Sequence, residues 1–304
     1  MKKSFGILLL IIASVNCHAQ YVKLALNLVK GNTYYNLTTA TATVVQTVNG
    51  QKTQQGTTIT SRIAFKVMNI RDSLYEMEMR YENLSLKMDL PQGTIQYNSN
   101  GIDATSKVLA ALRNQPIAVV ITRNGNLQAL APISTAIDRA IKQFPQLSAE
   151  ERAQIKSMME QSFGERAFRS NFEMGTVIFP SVPVRKNAFW ISDTQLESSR
   201  PANVHSIAEL RDITPTFNQI HVNSTITYLN RDEFIVTNGI PLKYNMEGSR
   251  SADIVVDTVT GWVKQASILQ NIGGTTEIKD NPTVPGGMVI PTVMKSEVVI
   301  TDVH

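Results

Sequence analysis

Reactive and cross-linking side chains are scarce in this chain. Its single cysteine, Cys17, lies among the first twenty residues, and only four histidines are present. With no second thiol there is no disulfide framework, so the fold has to be held by a hydrophobic core. A Gly-x-Ser-x-Gly elbow, a His-Glu-x-x-His helix, a P-loop and a Gly-x-Gly-x-x-Gly turn are all missing, and His205, His221 and His304 are too dispersed to pair. The usual hydrolase, zinc and nucleotide-binding chemistries therefore have no carrier here, and the expectation is a protein without catalytic residues, metal or cofactor. One sign of charge does not dominate either. Lys and Arg number 29 against 25 Asp and Glu, a net +4 with no basic cluster, which excludes the usual footprint of nucleic-acid binding and gives an anionic membrane surface nothing to attract. Beyond the N-terminus no apolar run is long enough to span a bilayer as a helix.

What is present begins with an address. Lys2 and Lys3 precede an apolar stretch from Gly6 to Ala13, and Cys17-His18-Ala19 offers a small residue before a cut at Gln20, the pattern of an export signal over 1–19. A lipid-modified Cys17 is the competing reading, but Asn16 is bulkier and more polar than the small residue expected before an acylated cysteine. Cleavage after Ala19 removes Lys2, Lys3 and Cys17, leaving 285 of the 304 residues with a net charge of +2. That is one large β-rich domain, 20–304, bound for the periplasm, the outer membrane or the exterior.

The next stretch reads as long strands. Ile59, Ser61, Ile63, Phe65 and Val67 alternate with Thr60, Arg62, Ala64 and Lys66, the period of a strand with one buried face. Asn49-Gly50 marks a hairpin, and a second turn falls at Arg71-Asp72-Ser73. Tyr75, Met77, Met79 and Tyr81 then share one face, with Glu76, Glu78 and Glu82 on the other. Leu84, Leu86, Met88 and Leu90 continue the apolar face with opposite parity, which requires a bulge near Glu82-Asn83.

In the middle the period changes. Asp103 caps a short helix to about Arg113, a strand follows over Ile117 to Thr122, and Asn124-Gly125 turns the chain. Pro132 opens a helix carrying Ile133, Ile137, Ala140, Ile141 and Phe144 at helical spacing. Ser148 with Glu151 forms a capping box for another helix ending near Gly164, and Glu165 to Met174 adds one more. Residues 132–174 thus form a helical insert.

Strand composition returns over Lys186–Thr194, Ala208–Ile213, Asn218–Leu229, Leu242–Val256, Trp262–Ile272 and Met288–Ile300. A 13-residue strand runs roughly 43 Å, which suits a strongly curved sheet or open barrel. The fold class is mainly β (α+β), with long antiparallel strands and a central helical insert. Short matches link 20–131 with 175–304: Gly31-Asn32-Thr33-Tyr34 with Lys186-Asn187-Ala188-Phe189-Trp190, for instance, and Arg123-Asn124-Gly125 with Val259-Thr260-Gly261. They suggest two related halves, each a similar curved sheet, with the helices between.

Four groups of residues are candidate sites. Glu76, Glu78 and Glu82 alternate too regularly with apolar partners to be paired catalytic acids and read as a solvated face. Asp253 and Asp257 flank a turn but lack the oxygen-ligand run of a calcium loop. Methionines and aromatics are more suggestive, because methionine adapts to irregular apolar partners. Phe65, Tyr75, Met77, Met79, Tyr81, Ile137, Ile141 and Trp262 are the candidates for lining a ligand cavity, with plain core filling as the competing role. The loop Asn-Pro-Thr-Val-Pro-Gly-Gly-Met, 281–288, reads as a wide connection or a contact surface.

Taken together, Glu160-Gln161-Ser162-Phe163-Gly164-Glu165, Phe179-Pro180 with Val182-Pro183-Val184 before Trp190, Val222-Asn223-Ser224-Thr225-Ile226, Thr260-Gly261-Trp262 and Pro285-Gly286-Gly287-Met288 resemble an exported protein family of unknown function of Bacteroidota type. The resemblance covers most of the mature chain and implies a secreted, β-rich domain with a helical middle and no catalytic residues to transfer. In architecture only, it is similar to open-barrel periplasmic carriers of lipids and lipoproteins. Such a lineage also implies O-glycosylation at Asp-Ser/Thr followed by an apolar residue, which matches Ser73 in Asp72-Ser73-Leu74 and Thr258 in Asp257-Thr258-Val259. The functional expectation is a binding protein for a lipid or other apolar ligand. The alternative is an envelope structural or protein-interaction module, and a hydrolase with unpatterned carboxylates stands third.

Overall fold

The computed structural model describes residues 21–176, 178–196, 201–229, 231–237, 239–282 and 284–303; the export segment with Cys17, and His304, lie outside them. Strands β1 (Tyr21–Val22), β2 (Thr33–Val48), β3 (Gln51–Arg71), β4 (Leu74–Leu90) and β5 (Gly93–Asn98) come first, followed by α1 (Ala104–Leu112), β6 (Ile117–Thr122) and β7 (Leu127–Leu130). Helices α2 (Ile133–Lys142), α3 (Ala149–Phe163) and α4 (Glu165–Gly175) precede β8 (Val184–Arg185), β9 (Phe189–Leu196), β10 (Ala202–Ile213), β11 (Phe217–Tyr228), β12 (Ile235–Thr237), β13 (Ile240–Asp257), β14 (Val263–Ile278) and β15 (Met288–Thr301).

Thirteen of the strands form one antiparallel sheet in the order β7-β6-β4-β3-β2-β15-β14-β13-β11-β10-β9, with β5 added to β4 and β12 to β13. The sheet is curved and open, since β7 and β9 end the path without pairing each other. The expected curved sheet of long antiparallel strands is present; its two halves do not each form a sheet of their own, because β2 pairs β15 from Leu37↔Thr301 to Gln46↔Thr292 and joins the two meanders edge to edge. Thr- and Val-rich strands with alternating parity on both sides of this seam make that pairing favourable.

The turns follow the residues that permit them. Asn49 and Gly50 adopt φ of 51° and 78°, the left-handed pair a two-residue hairpin needs, and Asp72 with φ 50° begins the next hairpin. The expected bulge is present: Arg62 pairs Asn83 while Ile63 pairs Tyr81, so Glu82 is the extra residue and the apolar face is kept on one side. A second irregularity between Val67 and Asn69 leaves Met68 49% exposed, away from the other strand methionines. At 21 residues β3 would run roughly 70 Å if straight, and these bulges bend it around the core.

The four helices cover one face of the sheet, here the inner face. Each is set by its own sequence: Asp103 caps α1 through Ser106 N at 2.9 Å, Pro132 precedes α2, and Ser148 and Glu151 close a reciprocal capping box on α3 at 3.1 and 2.8 Å. Gly175 ends α4 against the Ile300 side chain of β15, and a Cβ there would push the Ile300 Cδ1 methyl aside. The largest cluster of buried side chains runs from α1–α4 across the inner face of both meanders, and two small ones form around Val204 and around Met246.

The segment before β2 joins no ladder between Lys23 and Asn32 and straps the end of the core. Leu24, Leu26 and Leu28 point inward at 4–6% exposure. Leu26 N donates to Arg123 O at 2.7 Å and Asn27 N to Thr260 O at 2.8 Å, joining the β6–β7 turn to the β13–β14 turn. Buried Tyr75 holds the strap from the sheet: its hydroxyl donates to Leu26 O at 2.8 Å and accepts from Leu28 N at 3.2 Å. Tyr75→Phe leaves both backbone groups unpartnered in the core and is expected to cost about 1–3 kcal/mol in urea unfolding, with the sheet intact by circular dichroism.

Candidate ligand groove

The helices cover the inner face only in part. On α3, Ile155, Met159 and Phe163 recur at i, i+4 and i+8 and are buried in the core. The neighbouring helical face, with Gln154, Ser157, Met158 and Gln161, looks across to Thr57 and Ile59 of β3 and Leu86 and Met88 of β4. Between them lies an open cleft of about 740 Å³, within the size range of small-molecule sites. Its walls carry methionine, isoleucine and leucine with scattered hydroxyls and amides, and no charged side chain. Such a surface suits an uncharged hydrocarbon chain and offers nothing to desolvate a charged substrate.

Below the cleft, and sharing Ile59 and Ser162 with it, is a void of about 40 Å³. Phe65, Tyr81, Phe168 and Phe172 wall it, while Asn36, Ser61 and Asn171 bring polar groups. Asn36 is buried and its Oδ1 has no hydrogen-bond partner, so the void has the polarity and room for an internal water. The Tyr81 hydroxyl donates to Phe163 O at 3.0 Å; burial, and then the charge of Glu165, push its phenol above the ordinary value. Glu165 in turn accepts from the backbone and hydroxyl of Ser134 at 3.2 and 3.1 Å, fixing α4 against α2.

All eight side chains singled out by alternation are buried, but none lines the cleft. Phe65 and Tyr81 border the small void, and Trp262 borders another of about 20 Å³. Tyr75, Met77, Met79, Ile137 and Ile141 line no cavity described here and fill the interior between sheet and helices. Phe65 meets Trp262 edge-on and Tyr34 meets it at a tilt, with ring centroids 5.4 and 5.3 Å apart, and the indole N–H donates to Tyr35 O at 3.1 Å, which is a packing arrangement. Where the cleft is concerned, alternation picked the right face and the wrong length of it. Met88, beyond the bulge, is the strand methionine that reaches the cleft, and Met158 on α3 carried no distinguishing signal because its helix has only a narrow apolar stripe.

The remaining candidates sit on the outer face or in turns. Glu76, Glu78 and Glu82 are paired with Arg71, Arg80 and Arg62 at 3.1, 2.7 and 3.3 Å. His221 and His205 each contact one aspartate, Asp253 and Asp193, at 2.8 and 2.7 Å. Asp257 Oδ1 accepts from Val259 N and from the amide and hydroxyl of Thr260, all within its own turn. Ser73 and Thr258 are exposed turn residues, and the Thr258 hydroxyl donates to Thr214 O at 3.2 Å. In the loop before β15, Gly286 N donates to Asp280 at 2.8 Å, and Gly286 and Gly287 take φ of 83° and 69°.

Known proteins place this architecture. A family described as "Family of unknown function (DUF6263)" matches residues 72–263. Among solved structures, one titled for lipid-protein interactions in lipovitellin aligns with 91% of this chain at a TM-score of 0.51 and 9% identity. The chain spans about a quarter (26%) of that much longer protein, and the likeness is one of fold. An outer membrane channel from Pseudomonas putida F1 aligns over 91% of this chain and 97% of its own at 7% identity, but with a TM-score of 0.24 it carries no argument. No curated protein matches. No helix among the described residues is long and apolar enough to cross a membrane.

Proposed function

The chain belongs to the DUF6263 family, a family of unknown function, and from its geometry we propose that it is an exported, non-enzymatic binding protein that holds the hydrocarbon chain of a lipid-like ligand. The observation that carries this reading is the uncharged cleft of about 740 Å³ between α3 and the ends of β3 and β4. A fully packed protein of this class would cover that apolar surface with its own helices; here the helical layer stops short of it. The likeness in fold to lipovitellin, whose structure is titled for its lipid contacts, supports the reading as analogy. The export-type N-terminus supports a site of action in the cell envelope, where lipid-like molecules need carriage between membranes.

Native mass spectrometry with solvent extraction, on protein purified without detergent from its own kind of envelope, tests this. A reproducible copurifying acyl lipid is the expected result. A bare, folded protein that also fails to take up added lipid would overturn it.

One observation favours a second reading, that of a protein-interaction module. Phe189 and Ile191 on the terminal strand β9, with Ile207 opposite Ile191 on β10, are 64%, 62% and 44% exposed, an apolar patch at a free sheet edge. A lipid-free protein that loses a copurifying partner on Ile191→Asp would support it.

A further inference from the structure

The inner face of β13 carries a cation that forms no ion pair among the described residues. Arg250 is partly buried, and its Nε and Nη2 donate to Ser224 Oγ at 3.2 and 3.0 Å, with Nη2 also 3.4 Å from Ser206 Oγ. Ser206 and Ser224 bond each other at 2.9 Å. No carboxylate among the described residues forms an ion pair with Arg250, and Nη1 makes no hydrogen bond. Glu173, which borders the same water-sized void of about 20 Å³, is paired with Arg169 at 3.6 Å instead. Loss of water pulls the guanidinium below its ordinary pKa, yet an arginine side chain stays charged. A desolvated charge left with hydroxyl partners alone is costly to a fold, and two serines from neighbouring strands are spent on holding it.

Strand register connects this cation to the groove. Arg250 pairs Gln270, Gln270 pairs Ser296, Ser296 pairs Ala42, and Ala42 pairs Thr57. Thr57 lines the cleft, and its partner Met88 lines it too. The row therefore forms a track across five strands of the curved sheet, roughly 19 Å along its surface at 4.8 Å per strand. Between the cleft and Gln270 its side chains are the small Thr57, Ala42 and Ser296. Apolar rows flank it: Ala40, Val298 and Ile268 on the helix side, Val44, Met294 and Ile272 on the other. Gln270, the β14 partner of Arg250, has a buried Oε1 with no hydrogen-bond partner, while the guanidinium itself reaches the other way, over Ser224 of β11 and Ser206 of β10.

We propose that Arg250 receives the carboxylate or phosphate group of an amphipathic ligand whose acyl chain lies along this track and ends in the cleft. The inference rests on the reading of the cleft as an acyl-chain site and adds the polar end: an anionic lipid, such as a fatty acid or a lysophospholipid acid, and not a neutral one. Arginine is suited to this because its fork matches an oxyanion, and the hydroxyls of Ser206 and Ser224 hold that fork in place.

Binding of a fluorescent long-chain fatty acid, its methyl ester and inorganic phosphate to the delipidated protein tests the proposal. The acid is expected to bind about tenfold or more tightly than the ester, the gain of a charge-assisted contact, and phosphate alone to bind far more weakly than the acid. In Arg250→Gln the acid should fall to the affinity of the ester while the ester is unchanged, which also shows that the variant is folded; Arg250→Lys should lie between. Equal binding of acid and ester by the wild-type protein would overturn the role of Arg250 and leave the cleft reading standing. Failure of both to bind would overturn both, and phosphate binding as tightly as the acid would overturn the acyl chain's part in the site.

Discussion

Met79→Ala is expected to lower the free energy of unfolding by about 2–5 kcal/mol, the range for removing a large apolar side chain from a closed core. Met79 is 0% exposed. It pairs Phe65 on β3 and Ile117 on β6, so the atoms removed have sheet neighbours on both sides and the helices above. Strands fixed by ladders on two sides cannot close on the space, which keeps the cost near the upper part of the range. Urea unfolding followed by circular dichroism measures it as a lower midpoint at unchanged slope. Met68→Ala is the control, since Met68 lies half exposed on the outer face and should change stability by less than about 0.5 kcal/mol. If the two variants unfolded alike, the assignment of inner and outer faces in this strand pair would be wrong. Aspartate at Met77 or Met79 places an unpaired charge in the core, so it would report on folding and say little about loading.

Paired replacement of Met88 and Met158 by aspartate is expected to reduce acyl-lipid binding by more than about tenfold with little loss of stability. These two side chains face each other across the cleft from β4 and α3 and are only partly buried. Charges there can keep their water in the unliganded protein, so the fold is spared, but a hydrocarbon chain entering the cleft would have to strip it. Copurifying lipid per protein and the dissociation constant of an added acyl probe give the effect, and the urea midpoint shows that the fold survives. Unchanged loading in a stable variant would move the ligand away from this cleft. Combined with Arg250→Gln, the pair separates the two ends of the ligand: the methionines act on acid and ester alike, whereas the arginine acts on the acid alone.

Much of the fold was legible in local patterns. The capping box at Ser148 and Glu151, the cap at Asp103 and the turn at Asn49-Gly50 are decided by a few adjacent residues, and all three are present. The parity change at Leu84 foretold a bulge because a strand can keep one face buried after such a change only by inserting a residue. The alternation of Leu24, Leu26 and Leu28 is there in the sequence, but what the strap ties together was not legible, since its partners are a turn near Arg123 and another near Thr260, far away in sequence. Nor was the setting of Arg250: in the chain it is one arginine in a serine-flanked strand, and only the tertiary structure shows that it forms no ion pair among the described residues and is held by Ser224 and Ser206.

The sequence by itself determined which side chains turn inward, because alternation along a strand and the 3.6-residue repeat of a helix are properties of neighbouring residues. It also determined that the core must serve without disulfides. Tertiary structure alone decided that the two meanders join through β2 and β15, how far the helices extend over the shared face, and that strand register brings Met88, Thr57, Ala42, Ser296, Gln270 and Arg250 into one row. Those outcomes depend on pairing between residues up to two hundred and more positions apart, where register and coverage are set by the packing of the whole sheet and no local pattern carries them.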